Sequence, residues 1–365
     1  MSCDFISLAV PGVQKLSPYQ PGKPIEELER ELGVSNIIKL ASNENPLGCS
    51  PLVIEAIKSG LSELALYPDG NGFILKKALS DFYRRPVNEI TLGNGSNDIL
   101  ELASRAFLKP GDEAIFAQHS FAIYALAVQA VGATGVCVPA KNWGHDLAAM
   151  ACAITAQTRM VFIANPNNPT GTWVEKQELE KFLLAVPENI IVVLDEAYGE
   201  YVTPGELADG LDFLDKYPNV IVSRTFSKAY GLAALRVGYA FAHPDITNVL
   251  NRVRQPFNVN SLALRAAAAA LGDQSFVAHS RALNAAGMQQ MTEGVRAFGL
   301  DVIPSKGNFL AIDLKREGMP IYQALLRQGV IVRPVANYGM PHFLRVTIGS
   351  PAENDRFLAA LKAVL

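Results

Sequence analysis

Short apolar runs alternate with amphipathic helical stretches along the middle of the chain, from Ile90 to Ala242. Strands of a parallel sheet are buried on both faces and therefore read as unbroken apolar runs, while the connecting helices cover the sheet. The pattern predicts an α/β fold with a mostly parallel seven-stranded sheet wrapped by helices. The predicted strands are Ile90–Leu92, Ala114–Ala117, Gly135–Val138, Met160–Ala164, Ile190–Leu194, Val220–Val222 and Val237–Phe241.

The regions on either side of this sheet have a different pattern. Several prolines before residue 25 predict an N-terminal arm, residues 1–45, which lies on another surface and could complete a dimer. Helical spacing predicts helices from Pro51 to about Leu64 and over Phe73–Tyr83. After the large domain, residues 46–255, a long helical region and a smaller alternation of strands and helices predict an interdomain helix and a small C-terminal domain, residues 256–365.

Composition excludes several classes of protein. The 365 residues are 49% hydrophobic and 18% charged, which is typical of a globular protein of about two domains. The net charge of -3 offers no basic surface for nucleic acid or for an anionic membrane. Apolar runs such as Phe121–Val128 are shorter than the roughly 20 residues that cross a bilayer. We therefore expect no nucleic-acid partner and no membrane span.

Cysteine and histidine usage bears on location and on metals. The four cysteines form no C-x-x-C pair, and the five histidines show no H-E-x-x-H spacing, so we expect neither a metal site nor a disulfide framework. The first residues lack the basic and long apolar segments of a signal peptide. Reduced thiols in the cytoplasm are the simplest interpretation.

Candidate binding residues follow the predicted strands, where ligands bind in sheets of this kind. The turn from Gly93 to Asp98 opens a helix predicted over Ile99–Phe107, and its N–H groups, with the positive end of the helix dipole, could hold a phosphate at Ser96 and Asn97. A capped helix start without a ligand is the alternative. Phe121 follows the next strand and could lie against a flat aromatic ligand, or be an ordinary core residue.

Two further turns carry polar groups. In Asn165–Gly171, two X-Pro bonds stiffen a turn in which Asn168 can donate its amide hydrogen to a ring oxygen, although a plain turn is possible. Asp195 ends an apolar run, and a carboxylate there needs a cationic partner such as a protonated pyridine nitrogen. Tyr198 could hydrogen-bond the phenolic oxygen of the same ring. A structural salt bridge or a helix cap is the alternative for Asp195.

Lys228 follows the run Val220–Val222, together with Thr225 and Ser227. A lysine here could be a solvated loop residue. In a desolvated pocket, however, its amine would lose proton affinity and could form a Schiff base with an aldehyde. With the anion-binding groups of Ser96, Asn97, Thr225, Ser227 and Arg236, these residues describe a pocket for pyridoxal 5'-phosphate.

The motifs NPNNPTG (165–171), DEAY (195–198) and SKAYGLAALRVG (227–238) resemble those of the fold-type I, class II aminotransferases. The segments LSPYQPGKP, LASNENPLG, YPDG and LRVTIG are similar to those of the histidinol-phosphate aminotransferase family within that class. The resemblance covers most of the chain.

The resemblance implies roles for individual residues. Lys228 would bind the cofactor aldehyde, Asp195, Tyr198 and Asn168 would contact the ring, and Tyr67 would reach the cofactor phosphate in the neighbouring subunit of a homodimer. The implied substrate-binding residues are Tyr19, Asn43, Arg333 and Arg345, the last having a surface salt bridge as its alternative. Phe121 departs from the pattern, because related enzymes often have tyrosine there.

The implied reaction is reversible transamination in histidine biosynthesis, in which glutamate, 2-oxoglutarate and histidinol phosphate are substrates or products. An aromatic-amino-acid aminotransferase and a phosphothreonine decarboxylase-like enzyme remain alternatives within the class. A regulatory module that binds pyridoxal phosphate is a third, but no basic helical segment for DNA is evident at either end.

Overall fold

Strands and helices alternate along most of the chain in the computed structural model, which describes residues 3–19 and 21–365. Met1, Ser2 and Gln20 of the predicted N-terminal arm lie outside the described residues. The strands are β1 (Ile38–Lys39), β2 (Ile90–Gly93), β3 (Glu113–Ala117), β4 (Thr134–Val138), β5 (Thr158–Ala164), β6 (Ile191–Asp195), β7 (Val220–Thr225), β8 (Gly238–Ala242), β9 (Asp301–Ile303), β10 (Phe309–Asp313), β11 (Val330–Ile331), β12 (Arg333–Pro334) and β13 (Phe343–Thr347).

The helices pack on the faces of the sheets and at the ends of the chain. They are α1 (Pro11–Gln14), α2 (Ile25–Leu32), α3 (Pro51–Gly60), α4 (Phe73–Tyr83), α5 (Ser96–Phe107), α6 (Ile123–Ala130), α7 (Leu147–Cys152), α8 (Lys176–Ala185), α9 (Pro244–Val253), α10 (Ser261–Gly272), α11 (Gln274–Ala297), α12 (Gly318–Arg327) and α13 (Pro351–Val364). Among the described residues, none of these helices combines the length and the apolar character that crossing a bilayer requires.

The larger sheet contains all seven predicted strands in the spatial order β2-β8-β7-β6-β5-β3-β4. Strands β3 to β7 run parallel, whereas β8 is antiparallel to both β7 and β2. The connection from β7 to β8 contains no crossover helix and is closed by a hydrogen bond from Phe226 N–H to Val237 O of 3.1 Å, so β8 must return antiparallel. The prediction of a mostly parallel sheet is confirmed.

The central strands are buried on both faces, which explains their apolar runs. Val192 and Leu194 pack into the apolar layer on one face of the sheet, and Val193 packs into the layer on the other. All three are at most 1% exposed, and burying each side chain contributes about 1.5–3 kcal/mol before the entropy cost of ordering it. These layers hold the carboxyl ends of β5, β6 and β7 in fixed positions.

A smaller antiparallel sheet, in the order β12-β13-β10-β9, lies in the C-terminal part of the chain. Helices α11, α12 and α13 share an apolar cluster with it. Strand β1 pairs in parallel with β11, so part of the predicted arm joins this C-terminal part. The division at residues 45 and 255 stays a prediction.

Most predicted strand boundaries differ from the structure by one or two residues, and the larger differences lie in α5, α3 and β7. Helix α5 begins at Ser96 rather than Ile99, and α3 ends at Gly60, with a 3-10 turn in place of its last residues. Strand β7 continues to Thr225 instead of ending at Val222. Its last residues are polar and buried, because Arg224 is paired with Glu196, and such a pair has no hydrophobic signal in the sequence.

Candidate active site

A cavity of about 210 Å³ lies at the carboxyl ends of β5, β6 and β7, where the sequence places the candidate residues. Strand β5 contributes Ala164, strand β6 contributes Asp195, and strand β7 contributes Thr225. Most of the predicted residues line this cavity: Tyr19, Ser96, Asn97, Phe121, Asn168, Asp195, Tyr198, Thr225, Ser227, Lys228 and Arg236. The fold therefore brings together side chains that are far apart in sequence.

Lys228 lies in the loop after β7, and its Nζ donates a hydrogen bond of 3.0 Å to the carbonyl oxygen of Ser42. Burial lowers the pKa of this amine to about 7, and the positive charges of Arg345 and Arg236 add to the effect against the opposing charge of Glu44. The solvated-loop alternative is wrong. A large fraction of the amine is neutral and nucleophilic at neutral pH.

Asp195 ends β6 and is 5% exposed. Its Oδ2 accepts a hydrogen bond of 2.8 Å from the hydroxyl of Tyr124, whereas its buried Oδ1 has no hydrogen-bond partner among the described residues. Burial raises the pKa of this carboxyl to about 6, against the hydrogen bond from Tyr124, a weaker interaction with the backbone N–H of Ala197 and the positive charge of Lys228. In the described part of the chain no salt bridge engages Asp195, so its open oxygen can receive a donor in the cavity.

Tyr124 is a site residue that the sequence reasoning missed. Its side chain is fully buried, and its ring stacks on Phe162 with the centroids 4.8 Å apart. The available signal is its position three residues after Phe121, since the two rings meet at the beginning of α6 with their centroids 5.9 Å apart. Because its neighbours in the sequence are mostly apolar, the sequence pattern indicates a core residue and does not indicate a polar role for the Tyr124 hydroxyl.

Tyr198 lines the cavity in the segment that follows β6 and is 4% exposed. Its hydroxyl oxygen accepts a hydrogen bond of 2.9 Å from Nδ2 of Asn43. Burial raises the pKa of this phenol to about 12, while the charge of Arg345 and the bond from Asn43 oppose the rise. The group therefore stays protonated and can donate its hydrogen.

Asn168 and Arg345 form a hydrogen-bonded pair. Nη1 of Arg345 donates to Oδ1 of Asn168 over 2.6 Å, and Nη2 donates to the carbonyl oxygen of Ala41 over 2.6 Å. Asn168 therefore has its amide nitrogen available as the donor end. Arg345 is 7% exposed, and burial lowers its pKa. The alternative of a surface salt bridge for Arg345 is wrong.

The end of the cavity next to helix α5 is suited to bind an anion. Helix α5 begins at Ser96, and no side chain caps its first N–H groups. Nη1 of Arg236 donates to Oγ of Ser227 over 3.2 Å. Gly95, with φ of +81°, lies directly against the Arg236 guanidinium, so a Cβ atom at residue 95 would collide with it. Positive charge, hydroxyl groups and helix N–H groups thus converge here.

Four predicted residues do not line the cavity: Asn43, Tyr67, Arg333 and Arg345. Tyr67 is 83% exposed and stacks on Phe257, with the centroids 4.8 Å apart. Arg333 is buried, with its guanidinium carbon 5.7 Å from the ring centroid of Tyr19. The predicted contacts of these residues with a substrate or a second subunit stay predictions.

Within residues 3–19 and 21–365, no group of three His, Cys, Asp or Glu side chains is arranged to hold a metal ion. The cavity instead joins an amine of lowered pKa, a carboxylate with an open oxygen and an anion-binding end. This arrangement can hold an anionic aldehyde covalently and move a proton near it.

Comparison with known proteins gives a consistent assignment. Residues 35–361 match the family model described as "Aminotransferase class I and II". The chain is 64% identical over 367 residues to histidinol-phosphate aminotransferase 2 of Pseudomonas fluorescens (strain Pf0-1), covering 100% of this chain and 99% of that protein. It is 63% identical over 364 residues to the protein of that name in Pseudomonas aeruginosa, covering 99% of each.

A solved structure also resembles the fold. The crystal structure of histidinol-phosphate aminotransferase from Sinorhizobium meliloti in complex with pyridoxal-5'-phosphate matches with a TM-score of 0.90 and 30% identity, covering 97% of this chain and 96% of that chain. The predicted fold class and the predicted family are confirmed. The chain belongs to the family of class I and II aminotransferases.

Proposed function

We propose that this protein is a pyridoxal 5'-phosphate-dependent transaminase that interconverts histidinol phosphate plus 2-oxoglutarate and imidazole acetol phosphate plus glutamate. The observation that carries the proposal is the pairing of Lys228, whose pKa is lowered to about 7, with the open carboxylate oxygen of Asp195 in one cavity. The names of the relatives in both Pseudomonas species and in Sinorhizobium meliloti support the choice of substrate and cofactor.

The residues present fit this cofactor. Oδ1 of Asp195 is buried without a hydrogen-bond partner among the described residues, and a protonated ring nitrogen would supply one. The phosphate would bind where helix α5 begins, near Arg236 and Ser227. The ring would lie against Phe121, with Asn168 and Tyr198 beside its oxygen. The cofactor supplies an electron-withdrawing ring that stabilises negative charge on the substrate's α-carbon.

Each residue has a physical task in this reaction. Asp195 would keep the ring nitrogen protonated, because its buried negative charge favours a positive partner. Tyr198 and Asn168 would donate hydrogen bonds to the ring oxygen and hold the ring in one orientation. Lys228 would hold the cofactor through Nζ, whose neutral form is the nucleophile. With substrate bound, the same Nζ would be the general base and general acid that takes a proton from the substrate's α-carbon and returns one.

Arg345 would bind the acidic group of each substrate in turn, with Arg333 and Tyr19 beside it. A guanidinium group binds carboxylate and phosphate alike through two parallel hydrogen bonds, so one residue suits both glutamate and histidinol phosphate. Arg345 is already buried and holds its position through Asn168 and Ala41. Its Nε has no hydrogen-bond partner among the described residues, which leaves a donor for a substrate.

The proposal includes a homodimer. A group of apolar side chains on the segment after α3, on α4 and on the loop after α9 is more than 40% exposed in the single chain: Leu61, Leu64, Leu66, Tyr67, Phe73, Ile74 and Phe257. Such a surface is typical of a subunit contact. Tyr67, which is 83% exposed, would then reach the cofactor phosphate of the partner subunit.

We also place the enzyme in the cytoplasm. Cys3, Cys49, Cys137 and Cys152 are all unpaired thiols, and three of them are exposed. Free exposed thiols suit a reducing compartment.

Steady-state kinetics test the substrate assignment. The purified protein, supplied with pyridoxal 5'-phosphate and 2-oxoglutarate, should show a kcat/KM for histidinol phosphate at least about tenfold above that for phenylalanine, because a phosphate carries more negative charge and more acceptor oxygens toward the arginines than a carboxylate does. A higher kcat/KM for phenylalanine would instead indicate an aromatic-amino-acid aminotransferase. Release of carbon dioxide from phosphothreonine without formation of glutamate would indicate a decarboxylase.

A further inference from the structure

Asn43 is held in a fixed and uncommon backbone conformation. Its φ is +55°, in the left-handed region that asparagine tolerates better than most residues, and its side chain is 1% exposed. Its N–H donates to Oγ1 of Thr347 over 2.9 Å, and its carbonyl oxygen accepts a bond of 3.0 Å from Asn308. These contacts with β13 and with the residue before β10 fix where the amide group lies.

The hydrogen bonds also fix which way the amide faces. The hydroxyl of Thr347 already accepts from the N–H of Asn43, and it donates its own hydrogen to Oδ1 of Asn43 over 3.2 Å. If the amide were rotated by half a turn, that hydroxyl hydrogen would have no acceptor among the described residues. Nδ2 therefore faces Tyr198 and donates to its hydroxyl oxygen over 2.9 Å.

Because Nδ2 of Asn43 donates to the Tyr198 oxygen, the hydroxyl hydrogen of Tyr198 cannot point toward Asn43. A phenol has one hydrogen, and since the Tyr198 oxygen accepts from Asn43, that hydrogen is donated in another direction. Tyr198 lines the cavity, whereas Asn43 does not. The hydrogen of Tyr198 is thereby left for a group bound in the cavity.

We propose that Asn43 is a positioning residue that sets the direction of the Tyr198 hydrogen, so that Tyr198 donates to the ring oxygen of the bound cofactor. This inference rests on the proposed function. It differs from the substrate contact that the sequence predicts for Asn43, because both ends of the amide are already engaged, by Tyr198 and by Thr347.

Asn43 also makes the Tyr198 hydroxyl a stronger hydrogen-bond donor. The bond from Asn43 opposes the rise that burial causes in the pKa of Tyr198, and a more acidic phenol is a stronger hydrogen-bond donor. Asn43 thus orients the donor and strengthens it.

The test is the pH at which the visible absorbance of bound pyridoxal 5'-phosphate changes in the intact enzyme. A hydrogen bond to the ring oxygen withdraws negative charge that would otherwise stabilise the protonated nitrogen joining the cofactor to Lys228. Removing the donor should therefore raise this midpoint. We expect a rise of about one pH unit in Tyr198→Phe and a rise in the same direction in each Asn43 variant.

Two variants change Asn43 in different ways. Asn43→Gly removes the amide, and glycine adopts a φ of +55° without strain. Asn43→Asp keeps the shape of the side chain and can only accept from the phenol, so it takes the phenol hydrogen for itself; since it also adds a negative charge, it is compared only in the background that retains Tyr198. Since the two variants affect packing differently, the test does not depend on either one alone.

A double-mutant cycle separates the proposed role from others. In the Tyr198→Phe background, the uncharged substitution Asn43→Gly should raise the midpoint no further, because the phenol through which it acts is gone. A midpoint that still rises with Asn43→Gly in that background would overturn the inference. So would an unchanged midpoint combined with a higher KM in both backgrounds, which is the result expected of a substrate contact.

Asn308→Ala is the matched control. Asn308 bonds the carbonyl oxygen of the same residue, Asn43, and no hydrogen bond joins it to Tyr198, so its loss should shift the midpoint by much less than Asn43→Gly does. An equal shift in Asn308→Ala would overturn the inference, because it would show that any loss of packing around Asn43 moves the midpoint. A wild-type protein that stays colourless with the cofactor would overturn the proposed function itself, whereas a coloured wild type with unresponsive Asn43 variants would overturn only this inference.

Discussion

The hydroxyl of Tyr124 donates a hydrogen bond of 2.8 Å to Oδ2 of Asp195, and both side chains are at most 5% exposed. The residues are 71 positions apart, on α6 and at the end of β6. One carboxylate oxygen is thus satisfied from within the protein, and the other is left for the cavity. Tyr124 holds the carboxylate in the orientation that the proposed cofactor needs.

Replacing Tyr124 by phenylalanine should remove the hydrogen bond to Asp195 and keep the aromatic ring packed in the core. The pKa of Asp195, already raised to about 6, should rise further because the bond that lowers it is lost. In the cofactor-free protein, we expect the pH below which binding of pyridoxal 5'-phosphate weakens to move upward by about 0.5–1 pH unit, and the free energy of unfolding to fall by about 1 kcal/mol. In the control Tyr239→Phe, which loses a buried hydroxyl bond of 2.8 Å to Tyr83, the pH dependence of binding should stay in place. Equal shifts in both variants would contradict the assigned role.

Capture of the cofactor by the cofactor-free protein should depend on pH through Lys228. Only the neutral amine is nucleophilic, and burial lowers its pKa to about 7. The rate of absorbance change after mixing with pyridoxal 5'-phosphate should therefore rise with pH through about 7 and then level off. A rate that keeps rising up to the usual lysine value of 10.5 would show that the amine is not perturbed.

Arg236→Ala should weaken binding of pyridoxal 5'-phosphate by about 10- to 100-fold, because a charge-assisted hydrogen bond to the phosphate is lost. Binding of pyridoxal, which has no phosphate, should change little. Equilibrium titration with both compounds measures the difference. Arg252→Ala is the control, since Arg252 is on α9 and bonds only Asn248 among the described contacts. An equal loss for both compounds in Arg236→Ala would argue against a phosphate contact.

The stability of the cofactor-free protein should depend on pH through Glu200. Burial raises the pKa of this carboxyl from 4.5 to about 7, and its Oε2 has no hydrogen-bond partner among the described residues. Because the folded chain binds this proton more tightly than the unfolded chain, the stabilisation is present below about pH 4.5 and is lost as pH rises to about 7. Glu200→Gln should therefore be more stable than wild type at about pH 8, by roughly 1–3 kcal/mol, and not at about pH 4.

Urea unfolding at both pH values measures this difference, with the exposed Glu188→Gln as the control. The assignment would be wrong if Glu200→Gln and Glu188→Gln gave the same pH dependence as wild type.

The sequence predicts the elements and the cavity well, where local patterns carry the information. Helix α4 has the predicted bounds Phe73–Tyr83, and Asp195 and Lys228 line one cavity as predicted. Apolar periodicity defines such elements, and the carboxyl ends of parallel strands share one edge of the sheet.

What the sequence does not predict depends on contacts between distant polar groups. Strand β7 extends past its apolar run because Arg224 is buried against Glu196, and no local pattern marks that pair. The role of Tyr124 could not be predicted for the same reason, since only the fold brings its hydroxyl to Asp195. The amide direction of Asn43 depends on Thr347, which lies 304 residues away.

Covalent trapping tests the central claim most directly. The holoenzyme is reduced with borohydride, digested, and its peptides are analysed by mass spectrometry, with Lys228→Ala treated in parallel. We expect the reduced cofactor on the peptide that contains Lys228, and no labelled peptide from the variant. A label on another lysine, or a labelled Lys228→Ala protein that still turns over at the wild-type rate, would contradict the account.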